Sequence, residues 1–290
     1  MQTPLPVLAL LFNALIWGLS WWPFRQMLNA GLHPLWATAL MYAGILAVLT
    51  LVRPGIWRQA RAVPALLLLA FSSGLNNVAF NWAISIGDVV RVILLFYLMP
   101  AWAVLLAWRI LGERLTALAL ARLGLASTGV LLVLWPQGAD SERLSAAFSL
   151  ADALALLGGF MFAMTNVLLR RMQAVPGQAR MLAMFGGCMA MALLAALAGQ
   201  ALGLVPGFPA FDTHWALLAV GLGVMLMVGN WALQYGAARL AAGTTAVVML
   251  SEVVFASGSS MLAGSAQPTA QTLLGGALVV GAALLAALRR

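Results

Sequence analysis

Charged residues, prolines and glycines divide this chain into ten apolar stretches, each long enough to cross a bilayer as a helix. A hydrocarbon core roughly 30 Å thick takes about 20 helical residues, because every backbone polar group must be satisfied inside the segment. The stretches lie near 5–24, 34–52, 64–85, 89–109, 116–135, 149–169, 180–203, 213–236, 242–263 and 268–288. With 64% apolar and 8% charged residues and a mean hydropathy of +1.01, the chain cannot clothe a soluble globule. The expected fold class is an all-α integral membrane protein with ten transmembrane helices, whose short loops leave no room for a soluble domain.

All fifteen basic residues are Arg. Arg53, Arg58, Arg61, Arg109, Arg114, Arg170, Arg171, Arg180, Arg239, Arg289 and Arg290 fall on the side of the N-terminus, with Arg122 one turn inside; only Arg25, Arg91 and Arg143 fall opposite. The positive-inside bias then places both termini in the cytoplasm. Asp88, Asp140, Glu142 and Asp212 fall outside, so the net charge of +8 is an orientation signal and no nucleic-acid surface is expected. The first stretch lacks a basic leader and a small-residue cleavage site and reads as a retained span. Arg-only usage with abundant Ala and Gly indicates GC-rich coding, hence a bacterial inner membrane.

The two halves are related. Asn76-Asn77-Val78-Ala79-Phe80-Asn81-Trp82 matches Gly229-Asn230-Trp231-Ala232-Leu233-Gln234-Tyr235, amide on amide and ring on ring. The same register sets Leu98-Met99-Pro100 on Ser251-Glu252-Val253, and a second register sets Trp17 through Arg25 on Phe162 through Arg170. Five spans per half invert the second half relative to the first, the arrangement of secondary transporters. The expected units are residues 1–136 and 149–290, joined by an external linker at 137–148, around a central cavity.

What is missing narrows the chemistry. Without Lys there is no Walker A loop and no Schiff base. Cys188 is the lone cysteine, and His33 and His214, both placed in loops, fit no zinc-binding spacing. Ser20 in Gly18-Leu19-Ser20 has no His at matching depth to complete a triad. No catalytic residue, metal or cofactor is expected, and the protein is not read as an enzyme.

Glu252 lies halfway along the ninth span among apolar residues. A charge at a helix centre costs roughly 2.5–3.5 kcal/mol on insertion scales, and such acids commonly mark a pathway. It reads as a proton carrier or a counter-charge for an ammonium, or else as a hydrogen-bonded tie between helices. Asn77 and Asn230 sit near midspan, with Asn13, Asn81, Asn166 and Gln234 at moderate depth; amides can also be packing glue. Trp22, Trp36, Trp57, Trp108, Trp135 and Trp215 near span ends read as interfacial anchors. Trp17, Trp82, Trp102 and Trp231 lie within spans, as do Phe96, Tyr97, Phe162 and Tyr235. On a straight fourth span Phe96, Pro100 and Ala103 share one face and Tyr97 turns about 100° away. Pro100 should kink that span, and Gly186-Gly187, Gly221/Gly223 and Gly275-Gly276 should let helices approach closely.

The run from Pro100 to Arg109-Ile110-Leu111-Gly112-Glu113-Arg114-Leu115-Thr116 resembles the EamA-like transporters of the drug/metabolite transporter superfamily. Glu252-Val253-Val254-Phe255-Ala256 is similar to that family's second midspan motif but lacks its Pro, and Ala263-Gly264-Ser265-Ala266-Gln267-Pro268-Thr269 stands where a second Gly-Glu turn is expected. Glu113 itself reads as an i,i+4 partner of Arg109. The finer likeness is to bacterial exporters of aromatic amino acids and methyl viologen. The family resemblance implies a basket around a central cavity, with spans one, three, four, six, eight and nine nearest the substrate. The expected substrate-binding set is Asn13, Trp17, Asn77, Asn81, Trp82, Phe96, Tyr97, Pro100, Phe162, Asn166, Asn230, Trp231, Tyr235 and Glu252.

No Arg lies at the midplane, which speaks against phosphorylated cargo. Rings, amides and one acid suit a hydrophobic zwitterion or a lipophilic cation. The expectation is export of aromatic and other hydrophobic amino acids by alternating access, with multidrug or quaternary-ammonium export and lipid handling as alternatives and proton coupling open. The partners expected are a small solute and the bilayer, and a monomer suffices.

Overall fold

The computed structural model describes residues 5–87, 89–114, 116–134, 148–263 and 269–288, and these contain helices and no strand. Expectations resting on Asp88, Leu115, Trp135, Asp140, Glu142, Arg143, Gly264 through Pro268, Arg289 and Arg290 lie outside the described residues.

The helices are α1 Leu5–Leu19, α2 Trp21–Asn29, α3 Pro34–Val52, α4 Ile56–Arg61, α5 Leu66–Ile86, α6 Val89–Phe96, α7 Met99–Leu106, α8 Ala117–Leu134, α9 Leu150–Arg171, α10 Gly177–Ala201, α11 Thr213–Ala237, α12 Ala242–Met249, α13 Ser251–Leu262 and α14 Ala270–Leu288, with a π-helical turn at Ala107–Leu111 after α7. Among the described residues seven helical segments are long and apolar enough to cross a membrane; the helices at Ala117–Val133 and Ala270–Leu285 are apolar but shorter. The 21-residue α5 is long enough but carries Asn76, Asn77 and Asn81. His214 lies in the first turn of α11, not in a loop, because Asp212 caps that helix by accepting from Trp215 N at 3.0 Å.

Local chemistry sets the helix ends. His33 accepts from Leu35 N at 3.3 Å ahead of Pro34, and partial burial lowers its pKa. Ser149 and Asp152 form a reciprocal capping box at the start of α9. Asp152, 2% exposed, also meets Arg91 of α6 at 2.8 Å. The Ser149-x-x-Asp152 spacing announces the cap, whereas nothing local announces Arg91.

Two spans are broken in corresponding places. At Pro100 the ladder gives way between α6 and α7, with Leu98 N bonded to Leu95 O at 3.3 Å and Ala101 N to Leu98 O at 3.0 Å. Between α12 and α13 Leu250 N bonds Val247 O at 3.2 Å and Val253 N bonds Leu250 O at 3.1 Å. These i to i+3 bonds tighten the turn. The second break has no proline; Ser251 Oγ instead donates to Val248 O at 2.7 Å, a back-bond of the kind that bends helices.

Packing pairs α5 with α9 and α10, α11 with α1 and α3, α3 with α10, α8 with α14, α9 with α6 and α7, and α1 with α12 and α13. Exchanging α1 with α9, α3 with α10, α5 with α11, α6 and α7 with α12 and α13, and α8 with α14 maps this set of pairings onto itself. Close crossings use glycine: a Cβ on Gly275 would stand 2.5 Å from Gly129 O, and one on Gly187 would run into the Ala70 backbone.

Two expected anchors are buried. Trp36 is 7% and Trp215 3% exposed. Trp36 Nε1 donates to Pro206 O at 2.9 Å and Trp215 Nε1 to Ala210 O at 3.3 Å, and both rings pack edge-on to Phe208. The segment before α11 folds back over them. Trp22, Trp57 and Trp108 are exposed, as anchors require.

Candidate functional site

The helix breaks bring Tyr97 and Glu252 together. Tyr97 stands at the end of α6 and Glu252 in the first turn of α13, and the phenol hydroxyl meets the carboxyl. A carboxylate there also lies at the positive end of the α13 dipole. No cation pairs with Glu252 among the described residues.

Rings gather beside this pair. Phe96 lies 4.5 Å from Phe80, 6.0 Å from Phe162 and 5.9 Å edge-on from Tyr97, measured between centroids. Gly158 and Gly159 make room: a Cβ on Gly158 would stand 3.3 Å from the Phe96 ring, and one on Gly159 2.5 Å from Phe96 O. Phe96, Tyr97, Phe162 and Phe255 pack on one core with Leu250, Val253 and Met99. Tyr97 N still bonds Ile93 O at 2.9 Å, so Tyr97 keeps the helical phase of Phe96 and the break comes after it. Phe80 and Phe255 were not singled out by sequence; Phe80 lies inside the repeated segment and Phe255 in the Glu252 motif. Pro100 is buried at the break.

The amides divide into two groups. Asn81 Nδ2 donates to Asn77 Oδ1 at 2.9 Å and to Thr38 Oγ1 at 3.1 Å, and Asn77 Nδ2 donates to Tyr42 Oη at 3.3 Å. Tyr42 in turn stacks on Phe185. These asparagines therefore tie α5 to α3. Gln234 meets Asn230 at 2.8 Å; with its amide turned to satisfy its surroundings, its nitrogen donates to Gly177 O at 3.0 Å and its oxygen accepts from Met181 N at 3.3 Å. This pair ties α11 to α10. Asn13 and Asn166 differ: both are buried, and neither amide atom of either has a partner among the described residues. Unpaired buried amides cost roughly 1–3 kcal/mol each, and they are free to receive a polar group.

Trp17 and Trp82 pack beside the buried cluster of Trp36 and Trp215, away from the rings around Phe96. Trp231, 67% exposed, is on the outer surface. Tyr235 lies under the Arg239 guanidinium, 3.8 Å from its ring centroid.

Glu113 does not pair with Arg109. Gly112 adopts φ of 68° after the π-helical turn, and Glu113 faces Arg170 at 4.0 Å and the Ala242 backbone N–H. Burial raises its pKa; Ala242 and Arg170 oppose that shift. No group of three or more His, Cys, Asp or Glu is placed to hold a metal among the described residues.

An all-α architecture with several apolar spans and broken midspan helices defines a multi-pass membrane protein. Residues 4–135 match the EamA-like transporter family, a stretch that contains the Gly112-Glu113-Arg114 turn. An uncharacterized transporter of Pseudomonas aeruginosa is 32% identical over 99 residues, which span 33% of this chain and 33% of that relative. A solved structure described only as a crystal structure of a protein superposes with a TM-score of 0.77 at 20% identity, covering 97% of this chain and 96% of that one. That likeness establishes the shared fold.

Proposed function

We propose that the protein is a secondary transporter that exports aromatic and other hydrophobic amino acids by alternating access across a bacterial inner membrane, with both termini cytoplasmic. In this reading it has ten spans, arranged as inverted repeats at 1–136 and 149–290. The mated helix pairings support the inversion, and the family match supports transport.

The observation that carries the substrate class is the ring cluster of Phe80, Phe96, Tyr97 and Phe162 beside the carboxyl of Glu252, where two helices break. Discontinuous helices near midplane are the usual seat of transported solutes. Rings of this kind stack on an apolar side chain, Glu252 balances an ammonium, and the free amides of Asn13 and Asn166 offer hydrogen bonds to a carboxylate. The paired breaks give each half a bend about which it can rock.

Counterflow in proteoliposomes tests this. Labelled Phe should enter vesicles preloaded with Phe or Trp and not those preloaded with Glu. The lone carboxylate among rings also favours a second reading, export of a quaternary ammonium. Exchange of such a cation without exchange of Phe would establish that reading and overturn the first.

A further inference from the structure

Two apolar grooves open on the outside of the helix bundle, away from the Phe96 cluster. One, about 430 Å³, runs between α5 and α10 along Leu67, Ala70, Leu182 and Gly186 and ends against Trp57 and Arg61 of α4. The other, about 500 Å³, runs between α11 and α3 along Val220, Gly223, Met41 and Gly44 and ends against Phe208 and Phe211. Leu67 and Ala70 correspond to Val220 and Gly223 in the register that matches Asn77 with Asn230. The same crevice is thus built twice, with different rims.

We propose that the groove between α5 and α10 binds an anionic phospholipid, its acyl chain along Leu67, Ala70 and Gly186 and its phosphate at Arg61. An apolar groove gives water few hydrogen-bond partners, and in a multi-pass membrane protein a groove on the outer face of spanning helices opens to acyl chains. The rim selects the headgroup. Arg61 is exposed and forms no ion pair among the described residues, and Arg58 precedes it by about one turn on α4. Trp57 is held at the rim by its Nε1 bond to Thr50 Oγ1 at 3.0 Å, the position of an interfacial ring. Arg pairs well with phosphate. The mated groove has aromatic rings and no cation along its lining, so it takes a chain without choosing a headgroup.

The glycines on the two floors allow a clean test. A Cβ added at Gly186 or at Gly44 meets nothing within 4 Å, so a larger side chain fills the groove without displacing a helix. Native mass spectrometry would be run on the full chain after exchange into equal phosphatidylglycerol and phosphatidylcholine with identical acyl chains. The wild type should retain phosphatidylglycerol about fivefold over phosphatidylcholine, the ratio expected for one surface Arg. Arg61→Gln and Gly186→Leu should each bring the ratio near one, and Gly44→Leu should leave it unchanged. Equal retention by the wild type overturns the proposal, as does a preference that survives both Arg61→Gln and Gly186→Leu or one lost equally in Gly44→Leu. A dimer abolished by Gly186→Leu would mean that a second copy of the chain occupies the groove. Arg61→Gln, a surface change, decides the headgroup claim even if Gly186→Leu does not fold.

Discussion

Asn81 and Gln234 occupy matching places in two different helices. Each meets an asparagine one turn earlier, Asn77 at 2.9 Å and Asn230 at 2.8 Å, and each ties its helix to a neighbour, α5 to α3 and α11 to α10. The two ties differ in depth: Gln234 is 1% exposed and engages backbone groups in the first turn of α10. Asn81→Ala should therefore cost about 0.6 kcal/mol, the average for such bonds in membranes. Gln234→Ala should cost about 1–3 kcal/mol, because it strands the Asn230 amide. Thermal unfolding in detergent would rank the two, and an equal effect would argue against this account.

Glu252 and Tyr97 should behave as a unit in transport. If the proposed function holds, Glu252→Gln reduces Phe counterflow at least about tenfold, since the substrate ammonium loses this counter-charge. Tyr97→Phe should have a smaller effect, because the ring stays. Phe counterflow at the wild-type rate in Glu252→Gln vesicles would remove Glu252 from the pathway and leave it as a helix tie.

Asp152 carries both a cap and an ion pair. Asp152→Ala breaks the capping box with Ser149 and leaves Arg91 without this partner, whereas Arg91→Ala leaves the cap intact. Breaking a buried pair costs about 3–5 kcal/mol, and Arg91, 17% exposed, should fall below that range. The order of melting temperatures should be wild type, then Arg91→Ala, then Asp152→Ala.

Gly187 allows α5 and α10 to touch. Any Cβ there collides with the Ala70 backbone, which cannot rotate away as a side chain can. Gly187→Ala should cost about 1–3 kcal/mol as overpacking, whereas Gly186→Ala, with open space around its Cβ, should be nearly neutral. The two adjacent substitutions, compared by thermal unfolding, form their own control.

Glu113 should give stability a pH dependence. Its folded pKa is raised above the ordinary 4.5 by burial, so between those two values the folded state binds more protons than the unfolded state. Stability then falls as pH rises through that window, and the favourable contribution is fully present only below 4.5. Glu113→Gln should flatten the profile there. A wild-type profile that instead rises with pH relative to Glu113→Gln would mean that Arg170 and Ala242 outweigh burial.

The helices were legible in the sequence because the bilayer imposes a local rule: each segment must satisfy its own backbone over a fixed thickness. The expected stretches and the observed helices agree to within a few residues at most ends, as at 34–52 and Pro34–Val52. Pro100 also declared its break locally, by lacking an N–H. Contacts between segments were a different matter. In lipid an apolar residue suits the outer surface as well as the core, so hydropathy could not separate exposed Trp231 from half-buried Phe96, or foresee the fold-back over Trp36 and Trp215. The proline-free break at Ser251, the reach of Arg91 to Asp152 and the turn of Glu113 toward Arg170 each depend on a partner or a helical phase that packing sets. The sequence by itself determined which segments are helical and which polar groups lie at depth; tertiary structure decided which of those groups meet, because only packing distinguishes one apolar face from another.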